Sequence, residues 1–140
     1  VYYGDEIGLQ GRHDPLNRQG MPWHQPERWN TALLEYTRHL IGLRRAHAAL
    51  RRGSYQTLHA RDGLYAFARE LQGEHFLIVL NVNRHQVKLE ISTAALPELR
   101  GKFRDLLSGL SASVDHQQLT GHELPARSGA VFRQRSEGAD

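Results

Sequence analysis

The spacing of apolar residues changes at Gly53, and that change limits what the chain can fold into. Ahead of it, Leu33, Tyr36, Leu40, Leu43 and His47 recur every three or four residues, with Ile41 beside them. That is the period of an amphipathic helix, expected from Asn30 to His47. Asn30 is a suitable N-cap, because its side-chain oxygen can accept from an amide of the first turn. Gly42 is a small cost inside the helix, which should end before Gly53. Behind Gly53 the period becomes two. Strands are expected at Tyr55–Leu58, Leu64–Leu71 and His75–Val82, the last two joined by a turn at Gln72-Gly73-Glu74. Further strands are expected at Gln86–Ile91, at Lys102–Leu107, near Val114, near Gln118-Leu119 and at Ala130–Arg135. Short strands broken by Gly, Pro and Asn turns argue an antiparallel β-sandwich.

The alternation predicts a core of Tyr65, Phe67, Phe76, Ile78, Leu80, Val87, Leu89, Ile91, Phe103 and Phe132. The fold class expected is mainly β: a C-terminal antiparallel sandwich preceded by a strand end, a long loop and one helix. Val1-Tyr2-Tyr3 reads as the strand end. Between Gly4 and Glu27, Gly8, Gly11, Pro15, Gly20, Pro22 and Pro26 keep the chain in a loop. Loops of this length are usually functional or disordered, and Met21, Trp23 and Trp29 give this one something to pack with. The sequence ends in a polar tail, Ser136–Asp140, expected to fray.

Composition excludes several classes. No apolar run approaches the roughly 20 residues of a membrane span, and no segment reads as a signal peptide. With no Cys among 140 residues there is neither a disulfide framework nor a thiolate metal site, which fits a cytoplasmic location. The formal charge is +3, with 16 of the 18 basic residues Arg. Only the doublets Arg44-Arg45 and Arg51-Arg52 cluster, where they complement the end of a helix rather than form a nucleic-acid surface. The histidines form no HExxH or HxH pair, so neither metal nor cofactor is expected. No nucleophile triad can be assembled; Ser108 and Ser128 stand beside Gly and read as turn residues.

A strand, a loop and a helix cannot bury one another's apolar faces well. They look like the last unit of a β/α array. The motifs agree. The stretch "VYYGDEIGLQG" resembles the strand and loop late in the catalytic barrel of α-amylase-type enzymes, glycoside hydrolase family 13. The continuation "DPLNRQGMPW" resembles that of the neopullulanase, cyclomaltodextrinase and α-glucosidase branch. Many relatives carry Cys where Asn17 stands, whereas Asp14, Pro15, Arg18, Met21, Pro22 and Trp23 match. The stretch "LLEYTRHLIGLRRAHAALRRGSY" is similar to the last barrel helix and its exit. "LYAFARELQGEHFLIVLNVN", "FRDLLSG" and "LPARSGAVF" resemble the C-terminal β-sandwich.

The resemblance implies a (β/α)8 barrel with its active site at the C-terminal ends of the strands. Residues 1–51 would be its last strand, substrate-side loop and last helix, and residues 52–135 the β-sandwich. The parent would act on α-glucans with retention, using acids on earlier strands. Retention needs two carboxyls about 5–5.5 Å apart. Asp5 and Glu6 are adjacent and, if extended, point to opposite faces, so no catalytic residue is expected in this chain. With Tyr3 and Trp23 they are expected to structure the loop near the cleft. Trp23 and Trp29 could stack on a sugar, although such residues more often anchor a loop. The resemblance places Asp14 and Arg18 in a donor-side subsite, gripping glucose hydroxyls; without substrate they would be a loop ion pair four residues apart. The partner expected is an α-glucan oligosaccharide, with no nucleic acid and no membrane. An open edge at Val1–Tyr3, without the barrel, would favour self-association. The competing reading is a stand-alone carbohydrate-binding β-sandwich, which requires an exposed row of aromatics.

Overall fold

The computed structural model describes residues 3–11, 13–14, 17–121 and 123–135. Val1 and Tyr2 of the expected strand end, Pro15 of the loop and the tail from residue 136 lie outside them. Two compact units make up the chain, residues 1–47 and 48–140.

In the first unit Tyr3 is not strand. It stands in a turn with φ 45°, and a 3-10 turn, Asp5–Ile7, follows at once. An isolated extended segment has no ladder partner, and among the described residues of this unit there is no strand to pair with. The turn closes on itself: the amides of Ile7 and Leu9 both donate to the Gly4 carbonyl at 3.1 Å. Ile7 is 1% exposed, and its carbonyl accepts from the Asn30 amide at 3.0 Å. A second 3-10 turn, Pro26–Arg28, leads into helix α1 (Thr31–Ala46), whose N-cap is Asn30. The Asn30 side chain accepts from the Leu33 amide at 3.0 Å, as the sequence predicts. No residue of α1 is buried, so its apolar stripe is only partly covered.

The second unit starts with a short helix, α2 (Ala49–Arg52), that the sequence does not predict. It is followed by ten strands: β1 (Gln56–Arg61), β2 (Leu64–Leu71), β3 (Glu74–Asn81), β4 (Val87–Lys88), β5 (Ile91–Ser92), β6 (Gly101–Asp105), β7 (Ser111–Asp115), β8 (Gln118–Thr120), β9 (Glu123–Leu124) and β10 (Ser128–Gln134). Eight form one sheet in the order β1-β2-β3-β10-β6-β7-β8-β5, and β4 pairs with β9. Every pairing is antiparallel. The outermost strands β1 and β5 lie against each other. A flat sheet would hold them apart by about seven strand spacings of roughly 4.8 Å; the sheet therefore curls over into two facing layers.

The expected strand at 86–91 is two. Val87-Lys88 pairs with β9 and Ile91-Ser92 with β8, because the chain changes partners between them. The core between the layers holds Ala66 and Ala68 from β2, Leu77 and Val79 from β3, and Ala130 and Phe132 from β10. Phe103, Val114, Leu119, Leu89 and Ile91 face them. Of the expected core, Phe76, Leu89, Ile91, Phe103 and Phe132 are buried. Tyr65, Phe67 and Ile78 are instead half-buried and Leu80 is 41% exposed, because β2 and β3 turn their other faces inward. Phe103 and Phe132 fill the interior, and Ala66 and Ala68 on β2 leave space for such rings. Phe76 lies on the outward face and is still fully buried; α2 packs on β2 and β3.

Two glycines here are required. A Cβ on Gly53 would fall 2.5 Å from the Ala49 carbonyl oxygen and 2.7 Å from that of Glu70. In the β2–β3 hairpin Gln72 and Gly73 have φ 53° and 81°, the twist-matched two-residue turn. Gly73 has open space around its missing Cβ. Gly73→Ala should therefore cost the left-handed backbone penalty alone, about 1 kcal/mol. For a domain of this size the thermal midpoint should fall by about 4–8 °C; an unchanged midpoint in a calorimetric scan would contradict that turn geometry.

Candidate functional site

The loop of the first unit forms an open cavity of about 430 Å3. Its polar lining comes from Tyr3, Asp5, Gln10, Asn17, Arg18 and Gln19. The Asp5–Ile7 turn positions one side of it, and the Asn17–Gln19 segment brings in the other. Asp5 and Arg18, distant from each other in sequence, thus share one cavity.

Asp14 and Arg18 are joined by an ion pair, with Arg18 Nε 3.1 Å from Asp14 Oδ1. The side chains are 63% and 67% exposed respectively. At that exposure the pair contributes only about 0–1 kcal/mol to stability. Its chemical value is different. A carboxylate that only accepts and a forked guanidinium that only donates are held side by side and open to solvent. Together they can grip a pair of neighbouring hydroxyls.

Asp5 and Glu6 do not form a convergent carboxyl pair. Contrary to the extended geometry expected, they occupy one 3-10 turn. Asp5 lines the cavity, whereas one Glu6 carboxylate oxygen is buried without a hydrogen-bond partner. Among the described residues no three His, Asp or Glu side chains converge to hold a metal ion.

The two tryptophans divide. Trp29 is a loop anchor, its indole N–H donating to the Pro22 carbonyl at 3.1 Å. Trp23, expected to structure the loop, is 68% exposed. It meets Trp29 edge-on, with centroids 6.1 Å apart and 72° between planes. One indole is already covered by the loop, and a second ring can only lie against its rim. The sequence does not single out Gln10, Asn17 and Gln19 as lining residues. Loop residues carry no periodicity to reveal them, although the departure from the family pattern at Asn17 marks that position.

Comparison with known proteins adds an independent line. Residues 55–133 match the family described as "Neopullulanase-like, C-terminal domain". Over 112 residues the chain is 41% identical to neopullulanase 2 of Thermoactinomyces vulgaris, covering 78% of this chain and 18% of that protein. The chain thus spans less than a fifth of that relative's length. Among solved structures, Ttha1563 of Thermus thermophilus superposes with a TM-score of 0.83 at 38% identity, covering 96% of this chain and 27% of that one. An α-amylase from Geobacillus thermoleovorans, complexed with acarbose, gives 0.82 at 25% identity, covering 96% and 29%.

Proposed function

Because the chain belongs to the α-amylase-type enzymes of glycoside hydrolase family 13, as a C-terminal part bearing their neopullulanase-like domain, we propose that it completes a retaining α-glucan glycosidase. In this reading residues 1–51 are the last strand, substrate-side loop and last helix of the (β/α)8 barrel. Residues 52–135 stabilise that barrel as a β domain. The loop supplies a donor-side subsite, in which Asp14 and Arg18 hold glucosyl hydroxyls. The observation that carries it is the solvent-open Asp14–Arg18 pair, with Arg18 on the rim of the loop cavity. Two features support the surrounding barrel. Helix α1 buries none of its residues, though most helices in proteins owe their stability to a packed face. Glu6 keeps a buried oxygen without a partner, and a neighbouring barrel loop would satisfy it.

The catalytic acids lie elsewhere in this protein. Asp5 and Glu6, adjacent on one turn, cannot flank a glycosidic oxygen in the way that retention demands. The 140-residue chain assayed with starch, pullulan, cyclodextrin and an aryl α-glucoside is expected to show no turnover. The intact enzyme is expected to release the α-anomer first, read by proton NMR before mutarotation. Initial release of the β-anomer would reject retention. Turnover by the short chain that vanishes on Asp5→Ala or Glu6→Ala would place the chemistry in this loop and overturn the assignment.

A further inference from the structure

The reversal of the inward faces of β2 and β3 leaves a cluster of rings and hydroxyls on the outside of the β domain. Tyr55, just ahead of β1, stacks on Phe67 with centroids 5.0 Å apart and 29° between planes. Tyr65 leans on the same ring from 5.5 Å at 35°. The Tyr55 and Tyr65 hydroxyls are hydrogen-bonded to each other, and Thr57, paired with Phe67 in the ladder, neighbours both. The Arg69 guanidinium carbon lies 6.0 Å from the Tyr55 ring centre, held by its bond to the Gly53 carbonyl at 3.1 Å. Despite these contacts Tyr55 is 54% exposed.

The cluster is not apolar packing that happens to lie outside. Three hydroxyls are gathered at the edge of three rings, and no carboxylate or ammonium belongs to the set. The bond with Tyr65 pushes the Tyr55 phenol above the ordinary tyrosine range, and the bond with Tyr55 draws Tyr65 down. Either hydroxyl can be the donor of their shared bond, so one phenolic proton is left over. An aromatic face beside clustered hydroxyls suits a ligand that is flat and C–H-bearing on one side, hydroxylated at its rim and uncharged. A glucosyl ring has that form; an ionic ligand finds only one guanidinium, already engaged.

We propose that Tyr55, Thr57, Tyr65 and Phe67 form a further α-glucan contact, carried by the β domain itself. The choice of glucan rests on the substrate class proposed above; the site rests on the cluster. One exposed ring, Tyr55, and two half-buried ones, Tyr65 and Phe67, stand on the face where the sequence does not place them.

The test titrates the 140-residue chain with maltoheptaose and follows the tyrosine ring resonances by NMR, with cellohexaose and heparin as controls. Saturable shifts of the Tyr55 and Tyr65 rings with maltoheptaose are expected. Tyr55→Ala should weaken binding about tenfold, the upper end of one aromatic contact. Tyr55→Phe, which keeps the ring, should weaken it less. Circular dichroism establishes that each variant is folded. Absent ring shifts, equal binding by a folded Tyr55→Ala chain, or stronger binding of heparin would each overturn the proposal. In the intact enzyme, Tyr55→Ala should reduce retention on insoluble starch while hydrolysis of maltotriose stays unchanged. Unchanged retention would mean that the cluster is occupied within the protein, and would also overturn it. Failed hydrolysis with normal ring shifts would refute the enzyme assignment alone.

Discussion

Asp105→Ala should cost the β domain about 3–5 kcal/mol, because one carboxylate is the shared acceptor of several donors, each worth roughly 1–3 kcal/mol when left unmade. Asp105 is 1% exposed and its carboxylate accepts from both residues of its own turn and from a neighbouring strand. Oδ1 takes the amides of Leu107 at 3.1 Å and Val131 at 2.9 Å. Oδ2 takes the Ser108 amide at 3.1 Å and the Ser108 hydroxyl. One side chain thus forms the turn after β6 and ties it to β10. Removing it strands the amides of Leu107 and Val131, both half-buried, each costing roughly 1–3 kcal/mol when left unmade, whereas Ser108 is exposed and can turn to water. The losses will not add fully, because the turn can relax toward water. With a urea slope of about 1.5 kcal/mol per molar, the unfolding midpoint should fall by about 2–3 M. Asp105→Asn keeps an acceptor for two of the amides and should lose less than half as much. A midpoint within about 0.5 M of the unsubstituted chain, for Ala, would show that water replaces the carboxylate without loss.

In the intact enzyme, Asp14→Ala or Arg18→Ala should lower kcat/KM on maltooligosaccharides by about 10- to 150-fold. The range is one charged hydrogen bond to substrate, roughly 1.5–3 kcal/mol, converted to a rate ratio. The two readings of this pair differ in a measurable way. As a loop ion pair, more than half exposed on both sides, it contributes about 0–1 kcal/mol to folding and nothing to catalysis. As a subsite, each residue contributes its own substrate contact, and the double variant loses more than either single one. Contacts made equally in the bound substrate and the transition state should appear chiefly in KM. Unchanged kinetics in both single variants, with only a small drop in thermal midpoint, would reduce the pair to loop structure.

The elements that are legible in the sequence have a local cause. Asn30 caps α1 with the bond its side chain predicts. Gln72-Gly73 closes the β2–β3 hairpin because that turn needs two left-handed residues and Gly accepts one at no steric cost. What is not legible depends on distant partners. The segment LYAFARELQGEHFLIVLNVN is apolar at both parities, so alternation alone cannot choose its inward face. The choice belongs to partners distant in sequence: Ala66 and Ala68 face inward into the core that Phe103 and Phe132 fill. The break between α1 and α2 at His47 carries no Gly or Pro signal, and two-residue β9 is too short to show a period. The His116-Gln117 turn is left-handed at both residues, φ 48° and 60°, without a glycine to announce it. In the loop, Asp14 and Arg18 are legible from the chemistry of the motif, whereas Gln10 and Gln19 reach the cavity only through the path of the backbone.

The last strand of the domain is not at an edge. β10 lies between β3 and β6, matched to β3 from Ser128 to Arg133 and to β6 from Phe132 to Gln134. Strands β1 to β3 can pair as they emerge from the ribosome, and so can β6 to β8, but in the sheet the two groups are bridged by the seven residues of β10. Asn81 waits likewise, since its amide donates to the carbonyls of Leu124 and Pro125. A chain whose translation stops short of Ser128 therefore keeps two half-sheets with bare inner edges, the kind of surface that chaperones and proteases recognise. The topology makes the domain a check on its own completeness: the sheet closes when Ser128–Gln134 has been made, and not before.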